Sequence, residues 1–226
     1  YDESFWINEV VEKYGTNHTE IQIDQNTIDE AVTNAVNGLD EPYADPSIVP
    51  SFVLSRAISK EYKVALSGDG GDELLGGYKR FQIALKNKSS IEDFISKTYP
   101  MYPGFLGSGS NLLMKSKNPA TSYSSTLEDD KFLRLLGFNK NDFPINSFIG
   151  KDEDVMKLLT LAEYNFFLSE MMVVKIDRTS MNNSLEVRSP FIDHKLIEYI
   201  LNSNMSEIII QNAKQPLKKY LSNDFN

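Results

Sequence analysis

Apolar residues recur at Ile7, Val10, Val11 and Tyr14, the i, i+3, i+4, i+7 spacing of one helix face, and Gly15 closes the pattern. Residues 4 to 14 are therefore expected to form an amphipathic helix. Thr19 to Ile23 alternates in the manner of a short strand. Ile28, Ala31, Val32, Ala35 and Val36 mark a second helix ended by Gly38, and after the Pro-punctuated stretch DEPYADPSIVP a third is expected over roughly residues 51 to 61. Lys63 to Leu66 reads as a brief strand. Helical spacing returns at Ile91 to Tyr99 and Lys131 to Gly137, in a long apolar run over residues 154 to 173, and at 193 to 202 with Asp193 as N-cap. After Ile208 to Ile210, a last helix from about Ala213 carries Leu217, Tyr220 and Leu221.

Strand, helix, helix, strand, helix is the order of an α/β domain with a parallel sheet flanked by helices. Residues 86 to 150 depart from it: rich in Ser, Asn, Lys, Pro and aromatics, they read as a largely helical connecting insertion that carries packing rather than chemistry. The whole of residues 1 to 226 is taken as one partial domain with C-terminal helices.

Composition narrows the function classes. A chain of 226 residues with 41% apolar and 24% charged content is long enough for a substantial core. No stretch approaches the roughly 20 apolar residues of a membrane span, and no signal-peptide order opens the chain, so a cytoplasmic protein is expected. Zero cysteines exclude disulfides, thiolate metal sites and thiol nucleophiles. His18 and His194, the two histidines, stand too far apart in sequence to suggest a multi-histidine metal site. A net charge of −9 argues against a nucleic-acid partner, so any bound phosphate must be held by local chemistry. The chain opens on Tyr1 and enters a helix almost at once, which leads us to expect a piece of a longer protein.

The stretch VALSGDGGDELLGGY, Val64 to Tyr78, concentrates five glycines and three acids behind a strand. A strand feeding a glycine-rich turn and then a helix aims backbone N–H groups at an anion. Gly68, Gly70 and Gly71 would let the chain approach a ligand closely. Acids beside an anion need a cation between them, and Asp69 and Asp72 are hard oxygen donors of the kind Mg²⁺ takes alongside phosphates. A plain turn is the bland alternative. The stretch is neither a Walker A loop nor an EF-hand, because neither spacing is present. A second dense segment, KIDRTSMNNSLEVRSPFIDH, places Lys175, Asp177, Arg178, Glu186 and Arg188 among Met181, Leu185, Val187, Pro190 and Phe191. Charges interleaved with apolar residues in this way are expected to be partly buried and paired, since lone buried charges are very costly.

SGDGGDELLGGY, with DEPYADPS upstream, DRTSMNNSLEVRSPFIDH downstream and a late NAKQPLKKYL, resembles the synthetase domain of the glutamine-dependent asparagine synthetase family, one of the N-type ATP pyrophosphatases. The opening YDES and the GTNHTEI stretch match as well, so the likeness runs nearly end to end outside residues 86 to 150. The resemblance implies an adenine nucleotide alpha hydrolase-like fold and ATP-dependent amidation. In that reaction an aspartate side-chain carboxylate attacks the α-phosphorus of MgATP, pyrophosphate leaves, and ammonia displaces AMP. It further implies ATP and Mg²⁺ as cofactors, aspartate and ammonia as substrates, and a glutaminase domain in the full-length protein; a homodimer is compatible with it.

By the same resemblance, Asp72 is a Mg²⁺–pyrophosphate ligand, and Ser67, Gly68, Gly70 and Gly71 belong to the nucleotide site. Asp69 orients the reacting carboxylate or handles the ammonia proton. Lys214 matches a lysine that stabilises pyrophosphate, with a solvated helix-start lysine as the plain alternative. Glu186 belongs to the substrate pocket and Arg188 braces that region, while Asp45 and Ser47 line the same pocket. The family's Ser-Gly-Gly-x-Asp-Ser pyrophosphate loop is absent from the sequence, as is the Cys-nucleophile glutaminase domain. Little or no synthetase activity is therefore expected of the chain alone. Two other readings stay open: a relative that amidates or cyclises a different carboxylate, such as a sugar acid or β-lactam precursor, and a non-catalytic binding module on the same scaffold.

Overall fold

A computed structural model describes residues 3–103, 109–126, 155–203 and 213–222. In order, the described elements are α1 (Ser4–Tyr14), α2 (Gln25–Asn37), α3 (Ile48–Ile58), β1 (Val64–Leu66), α4 (Gly71–Leu75), α5 (Lys79–Leu85), α6 (Ser90–Lys97), α7 (Ser110–Leu113), α8 (Pro119–Ser124), α9 (Val155–Ala162), a π-helical segment (Glu163–Met172), α10 (Val173–Met181), β2 (Glu186–Arg188), α11 (His194–Leu201) and α12 (Gln215–Leu221). Short 3-10 turns occupy Tyr99–Met101 and Pro190–Ile192. The chain divides into two compact units, one of residues 1–65 and 176–186, the other of 66–175 and 187–226.

The first unit is built on α2 and α3. Asp24 caps α2 by accepting from the Thr27 N–H at 2.7 Å. Ala31 and Ala35 on α2 meet Ile48 and Phe52 on α3 in a small core, with Leu39, Tyr43, Val49 and Val53 packed around it. Helix α3 starts at Ile48, ahead of the expected 51, because an Asx turn from Asp45 to the Ser47 N–H (2.9 Å) begins the helix early. Pro50 then falls in the first turn, where its missing N–H costs nothing. The end of α2 is tied to residues 178–182: Arg178 pairs with Asp40, and the Asn182 amide donates to the Asn34 carbonyl at 3.3 Å. Gly38 has no room for a side chain there, since an added Cβ would stand 2.6 Å from Asn182 Nδ2. Thr19–Ile23 forms no strand; an alternating segment needs a neighbour to pair with, and none is present among the described residues.

In the second unit Leu74, Leu75, Phe81, Ala84, Tyr123, Met156, Leu159, Ala162 and Ile200 form the core. Helices α5 and α8 pack together, with the Phe81 and Tyr123 rings 6.0 Å apart. The expected helix at 91–99 is α6, opened by a reciprocal Ser89–Glu92 capping box. The expected helix over 154–173 does not stop but continues through π-helical turns to Met181. Lys175, Thr179 and Ser180 are buried along this extension, and the two hydroxyls satisfy themselves on the Ile176 and Asp177 carbonyls. A buried hydroxyl needs a partner, and here the helix's own carbonyls supply it. Asp193 caps α11 as anticipated, accepting from Lys195 N–H at 2.8 Å. The helix expected at 131–137 and the apolar run 208–210 lie outside the described residues.

Strands β1 and β2 pair as a two-stranded sheet. Glu186 N–H donates to the Lys63 carbonyl and Ser67 N–H to the Arg188 carbonyl, both at 2.9 Å, so the register advances in the same direction on both strands and the pairing is parallel. The described chain is thus helix-rich with a small parallel sheet, compatible with the α/β class. Val64 and Leu66 are 48% and 75% exposed.

Candidate functional site

The glycine-rich loop leaves β1 at Ser67. Gly70 adopts a left-handed φ of +87°, and a Cβ there would stand 2.7 Å from Ile192 Cγ2, so the turn needs glycine on both counts. The 190–192 turn supports the loop from behind: Phe191 packs on Gly70 and Gly71, the Ser189 hydroxyl donates to the Asp69 carbonyl, and Tyr164 OH donates to the Phe191 carbonyl at 3.3 Å. On the other side the loop is open. Among the described residues, a Cβ built on Gly68 would meet nothing within 4 Å. Beside it, Ser67 Oγ is buried with no hydrogen-bond partner among the described residues, which is costly unless a ligand supplies one.

Helix α4 then carries Asp72. Its Oδ1 lies 2.7 Å from Lys214 Nζ, both side chains being a little over one-third exposed. Lys214 is placed from its own backbone: it holds a left-handed φ of +57° ahead of α12, and its N–H donates to the Leu75 carbonyl at 3.1 Å. Gly77 backs the pair so closely that a Cβ would fall 1.7 Å from Asp72 Oδ1 and 2.6 Å from Lys214 Cε. Residues separated by about 140 positions are thereby joined by the LLGG turn.

Beneath α4 lies a buried polar cluster that the motif reading did not single out. Glu73 is 1% exposed and accepts from Tyr78 OH at 2.6 Å. Burial pushes its carboxyl above the usual carboxylate range, opposed by the Tyr78 hydrogen bond and reinforced by the Glu163 and Asp72 charges. Glu163 is fully buried; both its oxygens are taken by Arg80, one through Nη2 at 2.7 Å, and Tyr123 OH donates to it as well. The Arg80 guanidinium lies 3.8 Å from the Tyr78 ring centroid and 4.3 Å from that of Phe167. Tyr123, Tyr78 and Tyr164 are all driven well above the ordinary phenol range, first by burial and then by the neighbouring carboxylates. The sequence held a signal for the cluster: Glu163 is the one charged residue in LLTLAEYNFFL, an apolar-rich run where a solvated charge is unexpected.

A folded-state carboxyl pKa above the unfolded one means that the folded state holds the extra proton, so stability declines as pH rises through that window. Glu73→Gln is expected to flatten this decline, as read from urea midpoints taken between pH 4 and 8.

The remaining anticipated site residues distribute as follows. Ser67, Gly68, Asp69, Gly70, Gly71, Asp72, Arg188 and Lys214 lie in the second unit; Asp45, Ser47 and Glu186 lie in the first. Asp45 and Ser47 form the turn into α3, and burial, reinforced by the charge of Asp45, lifts the Tyr43 phenol to about 12. Glu186 and Arg188 are exposed two residues apart on β2, hence on the same face of the strand. Among the described residues no three His, Asp or Glu side chains gather as a metal cage, and no helix is long and apolar enough to cross a membrane.

Comparison with known proteins bears on what such a loop serves. The family model described as "Asparagine synthase" matches residues 1–223. The Bacillus subtilis protein named asparagine synthetase [glutamine-hydrolyzing] 3 is 31% identical over 204 residues, covering 89% of this chain and 30% of its own length. A Mycobacterium bovis protein named putative asparagine synthetase [glutamine-hydrolyzing] is 29% identical over 200 residues, covering 80% of this chain and 30% of its own length. A Methanocaldococcus jannaschii protein of similar name is 27% identical, with 80% of this chain and 38% of its own length covered. The chain spans about a third of the length of these curated relatives. With a family model matched along almost its whole length and a glycine loop, acid and lysine assembled as described, the chain belongs to the asparagine synthase family.

Proposed function

We propose that the chain is part of an ATP-dependent amide synthetase that activates the side-chain carboxylate of aspartate and amidates it with ammonia drawn from glutamine. The observation that carries this reading is the buried Ser67 Oγ, without a partner among the described residues, beside the open face of Gly68 at the carboxyl end of β1, where open α/β sheets take their ligands. The finer fold, an adenine nucleotide alpha hydrolase-like sheet extended beyond the described pair of strands, belongs to the same proposal.

The residues suit a magnesium nucleotide. Ser67 Oγ has unused capacity to bond a phosphate or ribose oxygen, and Gly68 leaves space for it. Asp72 supplies the single carboxylate that Mg²⁺ commonly takes when phosphates complete its shell. When bound, the metal would offset charge on the phosphates. Lys214 is a second cation at the same edge, and on this reading it turns from Asp72 to the departing pyrophosphate. Asp69, its carbonyl pinned by Ser189, orients the carboxylate or accepts the ammonia proton. Glu186, Asp45 and Ser47 are assigned to the acyl substrate and Arg188 to bracing that region. The glutaminase domain and a homodimeric assembly are partners of the full-length protein under this proposal.

Gly68→Val tests the reading. Because a Cβ added there meets nothing within 4 Å among the described residues, the variant is expected to keep its urea midpoint while its affinity for a magnesium complex of a non-hydrolysable ATP analogue, read by calorimetry, falls at least tenfold. Equal affinity in both proteins would remove the nucleotide from this loop.

A further inference from the structure

Helix α4 has five residues, well below the roughly 12 to 15 at which isolated helices become even marginal, so its geometry must be imposed from outside. The side-chain anchors come from below. Tyr78 OH holds Glu73, the residue next to Asp72, at 2.6 Å. The Tyr78 ring is itself held: Arg80 stacks on it at 3.8 Å, and Phe167 meets it edge-on with centroids 5.7 Å apart. Arg80 is clamped in turn by fully buried Glu163, the first residue of the π-helical segment, a form of helix often found at functional sites. A continuous path therefore runs from Glu163 through Arg80 and Tyr78 to Glu73 and the backbone that bears Asp72.

We infer that Tyr78 and Arg80 are positioning residues that fix α4, and with it the Asp72 carboxylate and its meeting with Lys214. Neither reaches the open side of the loop; they act through Glu73. The inference rests on the nucleotide reading for its functional meaning, but its physical content, a phenol and a guanidinium that fix the polar side of α4 while Leu74 and Leu75 anchor it in the core, stands apart from any ligand.

The test uses the 226-residue chain with Tyr78→Phe, which removes only the hydroxyl, and Arg80→Lys, which keeps the charge and loses the flat stacking group. Hydrogen exchange is read at two amides of the α4 turn, Leu74 N–H, which donates to Gly70, and Gly77 N–H, which donates to Asp72 at 2.8 Å. Both variants are expected to speed these amides at least tenfold while amides of α6 and α11, in the same unit, keep their rates. A general structural role would speed all of them together, and no change at α4 would leave the helix independent of Tyr78; either result overturns the inference. A second arm measures affinity for the magnesium–nucleotide analogue in a double-mutant cycle with Asp72→Asn. Tyr78→Phe should weaken binding three- to tenfold in the wild-type background and leave it unaltered in Asp72→Asn; equal losses in both backgrounds would overturn the link to Asp72. If the wild-type chain binds no nucleotide, the function proposed above fails, and the exchange arm alone decides whether Tyr78 and Arg80 position α4.

Discussion

Glu163→Ala is expected to destabilise the protein by about 3–5 kcal/mol, the cost of leaving one member of a buried ion pair without its partner. The Arg80 side chain is only 13% exposed and Glu163 is fully buried, so water cannot replace the lost carboxylate. The substitution also strips Tyr123, itself 1% exposed, of the oxygen that takes its proton. Against a typical folding stability of about 5–15 kcal/mol this is a large fraction. Urea denaturation followed by near-ultraviolet circular dichroism, which senses the Tyr and Phe rings around the pair, measures it. Glu163→Gln keeps one acceptor oxygen for Tyr123 OH and Arg80 Nε, though its NH2 then faces Arg80 Nη2, and should lose less, about 1–3 kcal/mol. Replacing both members by methionine should recover much of the loss, because the desolvation of two charges disappears with them. A Glu163→Ala loss below about 1 kcal/mol would mean that Arg80 finds water and that the cluster is not closed.

Asp72→Asn is expected to behave in the opposite way: stability nearly unchanged, function nearly abolished. Asp72 and Lys214 are each more than one-third exposed, so their pair contributes about 0–1 kcal/mol to folding. Under the function proposed above, in a protein carrying the chain within the full length of its relatives, ATP-dependent amide formation should fall roughly 10²–10³-fold, the usual effect of removing one preorganised electrostatic contact. Gly77→Ala gives an independent check that leaves every charge in place. Its methyl would stand 1.7 Å from Asp72 Oδ1, so the carboxylate must leave Lys214 and the same loss of rate should follow. An Asp72→Asn rate within threefold of wild type would make the Asp72–Lys214 contact an ordinary surface ion pair.

The helices announced by strict periodicity, α1, α2, α6, α11 and α12, are where the hydrophobic pattern put them, because capping and amphipathic spacing act within a few residues. Boundaries moved where other contacts acted: the Asp45 turn started α3 early, and the helix expected to end at 173 runs on to Met181, with the buried Thr179 and Ser180 hydroxyls bonded to its own carbonyls. Thr19–Ile23 shows the converse, since alternation states only that a strand could form and pairing needs a neighbour.

The motif residues were legible because glycine loops and acids advertise close approach and charge. Their support was not. Glu73, Tyr78, Arg80, Tyr123 and Glu163 come from helices up to 90 residues apart, and no local rule links them. By itself the sequence determined the family, the glycine-rich loop after β1 and the acid that follows it, all properties of contiguous residues. Tertiary structure alone decided that Lys214 meets Asp72 against Gly77, that Ser67 has no partner among the described residues, and that Arg80 and Glu163 meet as a buried pair. Those depend on burial and distance, which arise only when remote segments exclude water from one another.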